Sequence, residues 1–154
     1  MDTIILPDAD ALSKMLASLL GRKVLVAAGD AADGAWAGRY ITHADALAAV
    51  GVGDAQLVSM AGSALSMVPP GAAQAAADSG DPTEAMIENF HEILNVAASL
   101  IIDAGSEHVR LDGMTPANAL DDETAAMAST GAKRRDFTVD IDGYGKGSLS
   151  FIAN

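Results

Sequence analysis

Polar side chains that could take part in a reaction lie along one side of a segment that begins like a helix. Residues 81–95 read DPTEAMIENFHEILN, and Glu88, Glu92 and Asn95 recur in it at helical spacing. At about 100° per residue, the three positions fall within roughly 60° of one another around a helix axis. Ser99 continues the line one turn later. We call these four residues the ridge; it is either the solvated face of an amphipathic helix or a working surface.

Asn95 favours a working surface. Asn is a mediocre residue inside a helix because its side chain competes for backbone hydrogen bonds. Here it stands between Leu94 and Val96, with no turn signal nearby. A carboxamide can donate and accept hydrogen bonds at once, which suits it to orienting a water molecule. Acidic residues on the outside of a helix more often serve solubility, so both interpretations stay open.

Other candidate motifs do not meet the requirements of their chemistry. The sequence GYGKGS at 143–148 looks like a phosphate-binding loop. Such a loop needs Ser or Thr directly after the Lys, and a helix after that, whereas Gly147 intervenes and a strand-like run follows. We therefore expect a hairpin turn. The histidines lie in different elements without the spacing of metal ligands, and we expect no metal site: His43, His91 and His108.

Composition limits the possible classes of protein. A chain of 154 residues with 50% hydrophobic content predicts one domain spanning 1–154. The absence of cysteine excludes disulfides and thiolate chemistry. The formal net charge of −12 argues against nucleic acid as a partner. The basic run 133–135 is expected to be a solvated strand edge that opposes aggregation, and Trp36 a core residue on its strand.

The sequence also bears on location. No segment reaches the roughly 18–20 apolar residues that a membrane span needs, so we expect no membrane association. Residues 1–7 contain an acid, lack a basic start and end at a proline, which is unlike a signal peptide. We expect a cytoplasmic protein.

The first half of the chain alternates between helix and strand patterns. Caps, apolar spacing and turn residues define each element. In order, the predicted elements are a helix from Asp8 or Asp10 to Gly21, a strand at 23–27, an antiparallel second strand at 35–41, a short helix at 42–50 and a helix at 56–68.

The second half is dominated by one long helix. Asp81 is the expected cap, with Pro82 at the first helical position and Gly105 as the stop. Its expected buried residues are Met86, Phe90, Ile93, Leu94, Ala97 and Ile101. The elements that follow are a strand at 107–111, a loose helix at 120–129 and a hairpin of 137–141 with 148–152. Interleaved helices and antiparallel strand neighbours predict an α+β fold, a mostly antiparallel sheet packed by long helices.

This order of elements resembles the CheC/CheX/FliY phosphatases of bacterial chemotaxis over most of the chain. Their signature is Asp or Ser, then three residues, Glu, two residues, Asn, and a Pro about twenty residues on. The matching positions here are Glu88, Glu92, Asn95 and Pro116. Glu88 is larger than the family's Asp or Ser. A single Glu-x-x-Asn helix is closest to the single-site CheX-like type, which implies a homodimer.

The resemblance implies a function for the ridge. In that family, the Glu and Asn enter the active site of a phosphorylated CheY-like response regulator. Carried over, Asn95 would orient the attacking water, Glu92 would dock the regulator's active-site lysine, and Glu88 and Ser99 would add partner contacts. The regulator supplies the metal ion, so the chain would need no cofactor of its own. The alternative is a non-catalytic interaction module of the same fold that binds a signalling or flagellar partner.

Overall fold

The structure is a computed structural model that describes residues 4–103 and 109–154. Within these ranges the helices are α1 Ala9–Leu20, α2 Ala55–Leu65, α3 Pro70–Ser79, α4 Glu84–Ala97 and α5 Asp122–Thr130. The strands are β1 Ile4–Ile5, β2 Val24–Ala28, β3 Trp36–Ile41, β4 Leu47–Gly53, β5 Ile102–Asp103, β6 Arg110–Pro116, β7 Lys133–Ile141 and β8 Gly145–Ala153. Short 3-10 turns follow α4 at Ala98–Leu100 and β6 at Ala117–Ala119.

Six of the strands form one antiparallel sheet, in the order β2-β7-β8-β4-β3-β6. β1 and β5 form a separate antiparallel pair. This architecture confirms the predicted α+β fold. The predicted C-terminal hairpin is also confirmed, because β7 and β8 pair along their whole length from Lys133 to Ala153.

The sheet has helices on both faces, and alternation along β8 shows how the strands serve two cores. Leu149 and Phe151 join the large core formed with helices α1 to α4. Ile152 points the other way and packs with Val50 and Met127, the latter on α5. Successive strand side chains point to opposite faces, so one strand supplies both cores.

Glycines on β3 and β4 allow α4 to pack close to the sheet. We call Gly38, Gly51 and Gly53 the glycine surface. A Cβ on Gly53 would lie 2.5 Å from Cζ of Phe90, and one on Gly38 would lie 2.9 Å from Cδ1 of Leu94. The missing side chains therefore make room for the two largest residues on the buried side of α4. Both are fully buried.

The first helix agrees with its prediction. The Asp8 side chain accepts a 2.8 Å hydrogen bond from the Ala11 N–H, and Gly21 ends the helix in the left-handed region at φ 67°. The predicted helix at 56–68 is α2, and the loose helix at 120–129 is α5. The 71–80 segment, for which no element was predicted, forms α3.

Two predictions for the first half are wrong. A short helix was expected at 42–50. Residues 47–53 instead form β4, which pairs with β3 on one side and β8 on the other. Its residues are almost all buried on both faces, so no alternation was visible and the run could not be told from a helix. β2 and β3 are not partners: β2 pairs with β7, while β3 lies between β4 and β6. Neighbours in sequence need not be neighbours in a sheet.

Three boundaries also differ or lie out of view. Thr83 caps α4, because its hydroxyl accepts from the Met86 N–H at 3.3 Å, and Asp81 precedes the cap. The predicted helix does not extend toward Gly105, because α4 ends at Ala97 and is followed by the 3-10 turn and by β5 at Ile102–Asp103. Gly105 itself and the start of the 107–111 strand lie outside the described residues. The basic run 133–135 begins β7, and its Arg135 donates a 3.0 Å bond to the Leu6 carbonyl. That run therefore holds the β1 segment as well as meeting solvent.

Candidate functional site

The ridge lies along the outer side of α4. Glu88, Glu92 and Asn95 are exposed on α4, and Ser99 is exposed in the 3-10 turn that follows the helix. The helical residues predicted to form the buried side are buried, which confirms the predicted orientation: Met86, Phe90, Ile93, Leu94 and Ala97. Ile101 is also buried, but it lies beyond the end of α4. The spacing alone was enough to find this surface, because a capped amphipathic helix has a defined period.

Three of the four ridge side chains have no partner among the residues that the structure describes. Among the described residues, Glu88, Glu92 and Asn95 make no side-chain hydrogen bond or ion pair. Ser99 differs, since its hydroxyl donates a 2.9 Å bond to the Val96 carbonyl. The functional groups of Glu92 and Asn95 are thus available for contacts with another molecule, while that of Ser99 is partly engaged in ending the helix.

A second asparagine on α4 shows what a structural role looks like here. Nδ2 of Asn89 donates to the Gly62 carbonyl at 2.8 Å and to Oγ of Ser66 at 2.6 Å. These bonds fix α4 to α2, and a Cβ on Gly62 would come within 2.4 Å of the Met86 carbonyl oxygen. Asn89 holds two helices together. The Asn95 side chain makes no comparable bond to another described residue.

The end of α4 that carries Asn95 is fixed by a buried tyrosine. The Tyr40 hydroxyl donates a 2.7 Å bond to the Leu94 carbonyl. A continuing α-helix would place the Ala98 N–H on that carbonyl, but Ala98 instead donates to Asn95 and Val96 as the helix tightens. Burial raises the pKa of Tyr40 above its ordinary value, so the phenol stays protonated and keeps donating.

A cleft lies at the opposite end of α4. Its volume is about 460 Å³, and its walls are the start of β3, the α3–α4 link, Ile87 and the end of β6. We call it the Trp36 cleft. Trp36 was expected in the core; it packs against the core but also lines this cleft and is half-buried. Pro116, the last position of the resembled signature, lies here. Ile87 precedes Asn95 by eight residues, about 12 Å along the axis, so Pro116 and Asn95 occupy different parts of the surface.

An ionic cluster on the other face of the sheet is structural. Arg39 lies 3.2 Å from Asp112 and 3.0 Å from Asp121, and so joins β3 to β6 and to the start of α5. Hydrogen bonds from Thr124, and then the charge of Arg39, hold the pKa of Asp121 below its usual range. Sequence reasoning missed this cluster because its members come from three distant segments.

Charge is distributed unevenly over the molecule. The chain has no Lys or Arg between Arg39 and Arg110. Within the described part of the chain, the carboxylates of α4 have no ion-pair partner. Asp45, in the same stretch, does pair with Arg110 at 2.8 Å. The outer side of α4 is an acidic surface without internal compensation.

Two further properties concern metals and membranes. Across residues 4–103 and 109–154, no three His, Asp or Glu side chains come together in a way that could hold a metal ion. In the same ranges, the helices are too short or too polar to cross a membrane.

Comparison with known proteins gives likeness in fold. No protein-family model matches the chain, and no curated protein matches it. A chain of the FliM–SpeE complex from H. pylori is similar with a TM-score of 0.60 at 10% identity, covering 94% of this chain and 80% of that one. FliY of Thermotoga maritima has a TM-score of 0.59 at 12% identity, covering 93% and 82%. The FliM middle domain of Vibrio alginolyticus has a TM-score of 0.57 at 10% identity, covering 94% and 86%.

These neighbours define the class of fold. The chain has the α+β architecture of these FliM and FliY structures over nearly its whole length. That supports the resemblance to the CheC/CheX/FliY fold. The single-site CheX-like subtype stays a prediction.

Proposed function

We propose that this protein binds a CheY-like response regulator through the ridge and accelerates hydrolysis of its aspartyl phosphate. The observation that carries the proposal is the state of Glu92 and Asn95, which are exposed, adjacent on one helix and free of internal bonds among the described residues. The fold likeness to FliY and the resemblance of the motif add support.

The chemistry asks for placement of groups more than for a strong base. Water attacks phosphorus, the bond from phosphorus to the aspartyl oxygen breaks, and inorganic phosphate and a carboxylate leave. The Asn95 carboxamide would accept a hydrogen bond from the attacking water and hold it in line. The charge that develops on the phosphoryl group would be met by the regulator's own metal ion. The protein would need no cofactor of its own.

Glu92 would set the register of the complex. It lies three residues before Asn95, so the two side chains start about 5–6 Å apart on the helix surface. A carboxylate there would pair with the regulator's active-site lysine, and Glu88 and Ser99 would make further contacts on either side. The close packing on the glycine surface and the Tyr40–Leu94 bond favour this role, because a fixed helix loses little freedom on docking.

Loss of phosphate from a phosphorylated regulator tests the proposal. The native protein should shorten the lifetime of the phosphorylated regulator, and Asn95→Ala should remove most of that effect while regulator binding persists. Glu92→Ala should weaken binding. Gln56→Ala is the matched control, since it removes an exposed carboxamide from α2. A regulator that decays at its own rate with native protein present would refute the catalytic role.

A second candidate function is a non-catalytic module that binds a signalling or flagellar partner. The uncompensated acidic surface of α4 favours it, because charge steers association with a basic partner whether or not chemistry follows. Two of the similar structures are complexes of those proteins, FliM with SpeE and FliG with FliM. Charge reversal by Glu88→Lys and Glu92→Lys should then abolish binding, while Asn95→Ala should leave binding and phosphate loss unchanged.

The predicted homodimer and cytoplasmic location belong to the same proposal. Sedimentation of the purified protein over a range of concentrations tests the dimer. Fractionation of the source cells tests the location.

A further inference from the structure

The Trp36 cleft has the size and lining of a peptide-binding site. Its volume of about 460 Å³ is within the usual range for ligand pockets, about 300–1,000 Å³. Trp36, Pro82, Ile87 and Pro116 supply apolar surface on three sides. Trp36 is the chain's single tryptophan and is half-buried there. The accessible part of the indole, beside prolines and an isoleucine, presents apolar area to a side chain from outside.

The rim of the cleft is acidic on the helix side. Asp81 is part of the wall, and Glu84 and Glu88 lie within one turn of Ile87 on α4. All three are exposed, and no described residue forms an ion pair with any of them. Glu84 and Glu88 are also like charges at i, i+4 spacing, which destabilises a helix in isolation. A cationic partner would relieve that repulsion.

These two observations together define the occupant. We infer that the Trp36 cleft is a docking site for a segment of another protein that carries one large apolar side chain flanked by Lys or Arg. The apolar side chain lies against Trp36 and Ile87, and the flanking cations pair with Asp81 and Glu84. A cation over the accessible part of the indole gains an additional attraction from the ring.

A second copy of this chain is a poor occupant. The protein carries a formal net charge of −12, and two copies meeting at an acidic rim would repel each other. Glu88 belongs to both surfaces, but the pairing proposed here uses Asp81 and Glu84. The inference does not depend on the proposed phosphatase activity, because the cleft is at the start of α4 and Asn95 near its end.

Trp36 provides a direct measurement, because its fluorescence is the only tryptophan signal of the protein. The probe is a synthetic peptide with one Leu between pairs of Lys. We expect a saturable change in emission that weakens as salt is added. A peptide with Gly in place of Leu should bind at least about tenfold more weakly, since burial of a Leu side chain is lost. A peptide with Glu in place of Lys should give no change at the same concentrations.

Variants of the protein locate the site. Asp81→Asn and Glu84→Gln should each weaken binding by about two- to fivefold, as expected for one surface ion pair. Asp122→Asn, an exposed acid at the start of α5, is the matched control and should bind like the native protein. Asn95→Ala should also bind normally, so that a failed phosphatase assay leaves this test intact.

Several outcomes would overturn the inference. One is the absence of any change in Trp36 emission with the peptide that carries one Leu between pairs of Lys. Another is equal affinity for the Glu-flanked peptide, which would mean that the acidic rim selects nothing. A third is a change of Trp36 emission with protein concentration alone, which would assign the cleft to contacts between copies of this chain.

Discussion

The Tyr40 hydroxyl donates a 2.7 Å hydrogen bond to the carbonyl oxygen of Leu94, the residue directly before Asn95. The bond joins β3, the strand next to the β6 edge of the sheet, to the last turn of α4. At this point the helix tightens and the Leu94 carbonyl has lost its usual partner. The hydrogen bond from the core therefore ends on the residue directly before Asn95, the proposed catalytic group. The geometry of the ridge depends on the interior of the protein.

Tyr40→Phe should lower the free energy of unfolding by about 1–3 kcal/mol, because a buried carbonyl is left without a donor. It should also reduce the proposed phosphatase activity, although every ridge residue is intact. Urea denaturation and the phosphate-loss assay measure the two effects. Tyr144→Phe is the matched control: it removes a tyrosine bond to the Val68 carbonyl, away from the ridge. If both variants lose activity equally, the Tyr40 bond has no special role in placing Asn95.

Gly53→Ala should destabilise the protein by about 1–3 kcal/mol through overpacking. The new Cβ would lie 2.5 Å from Cζ and 2.8 Å from Cε2 of Phe90, and a buried ring cannot move aside freely. Thermal or urea unfolding measures the loss. Gly71→Ala is the control, because a Cβ there meets nothing within 4 Å, and it should leave stability unchanged or raise it by about 0.4–1 kcal/mol. Equal stability of the two variants would contradict the close packing of α4.

The two asparagines of α4 should respond in opposite ways to replacement. Asn89→Ala removes the bonds to Gly62 and Ser66 and should cost about 1–3 kcal/mol of unfolding free energy. Asn95→Ala should leave stability unchanged or raise it by up to about 0.7 kcal/mol, since Ala is the better helix former. Parallel urea titrations of both variants make the comparison. A large loss with Asn95→Ala would assign that side chain a structural role.

Asp121 should make the stability of the protein depend on pH in the acid range. Its folded pKa is lowered by hydrogen bonds from Thr124 and then by Arg39, so its contribution is present above the unfolded value, about 3.9. That contribution is lost as the pH falls through the lower folded pKa. Asp121→Asn should therefore show a flatter dependence of unfolding free energy on pH below about 4. Parallel curves for variant and native protein would contradict the shift.

The sequence was sufficient for some features and not for others, for physical reasons. The buried and exposed sides of α4 followed from its period, and α1 followed from Asp8 and Gly21. β4 was missed because both of its faces are buried, so its alternation was invisible. The Trp36 cleft was missed because its walls meet only after folding: Trp36 and Pro116 are partners across β3 and β6, eighty residues apart in the chain.

The glycine surface has an evolutionary consequence. Because Phe90 and Leu94 occupy the space that side chains at Gly53 and Gly38 would need, a single added methyl group in the strands would lift α4 and carry Glu92 and Asn95 away with it. A related protein could keep the whole Glu-x-x-Asn pattern and still lose the position of these two side chains through a change in a strand. Searches for the motif would count such a protein as intact. Whether related proteins keep glycine at the positions of Gly38 and Gly53 is therefore a better indicator of an intact ridge than the motif on the helix.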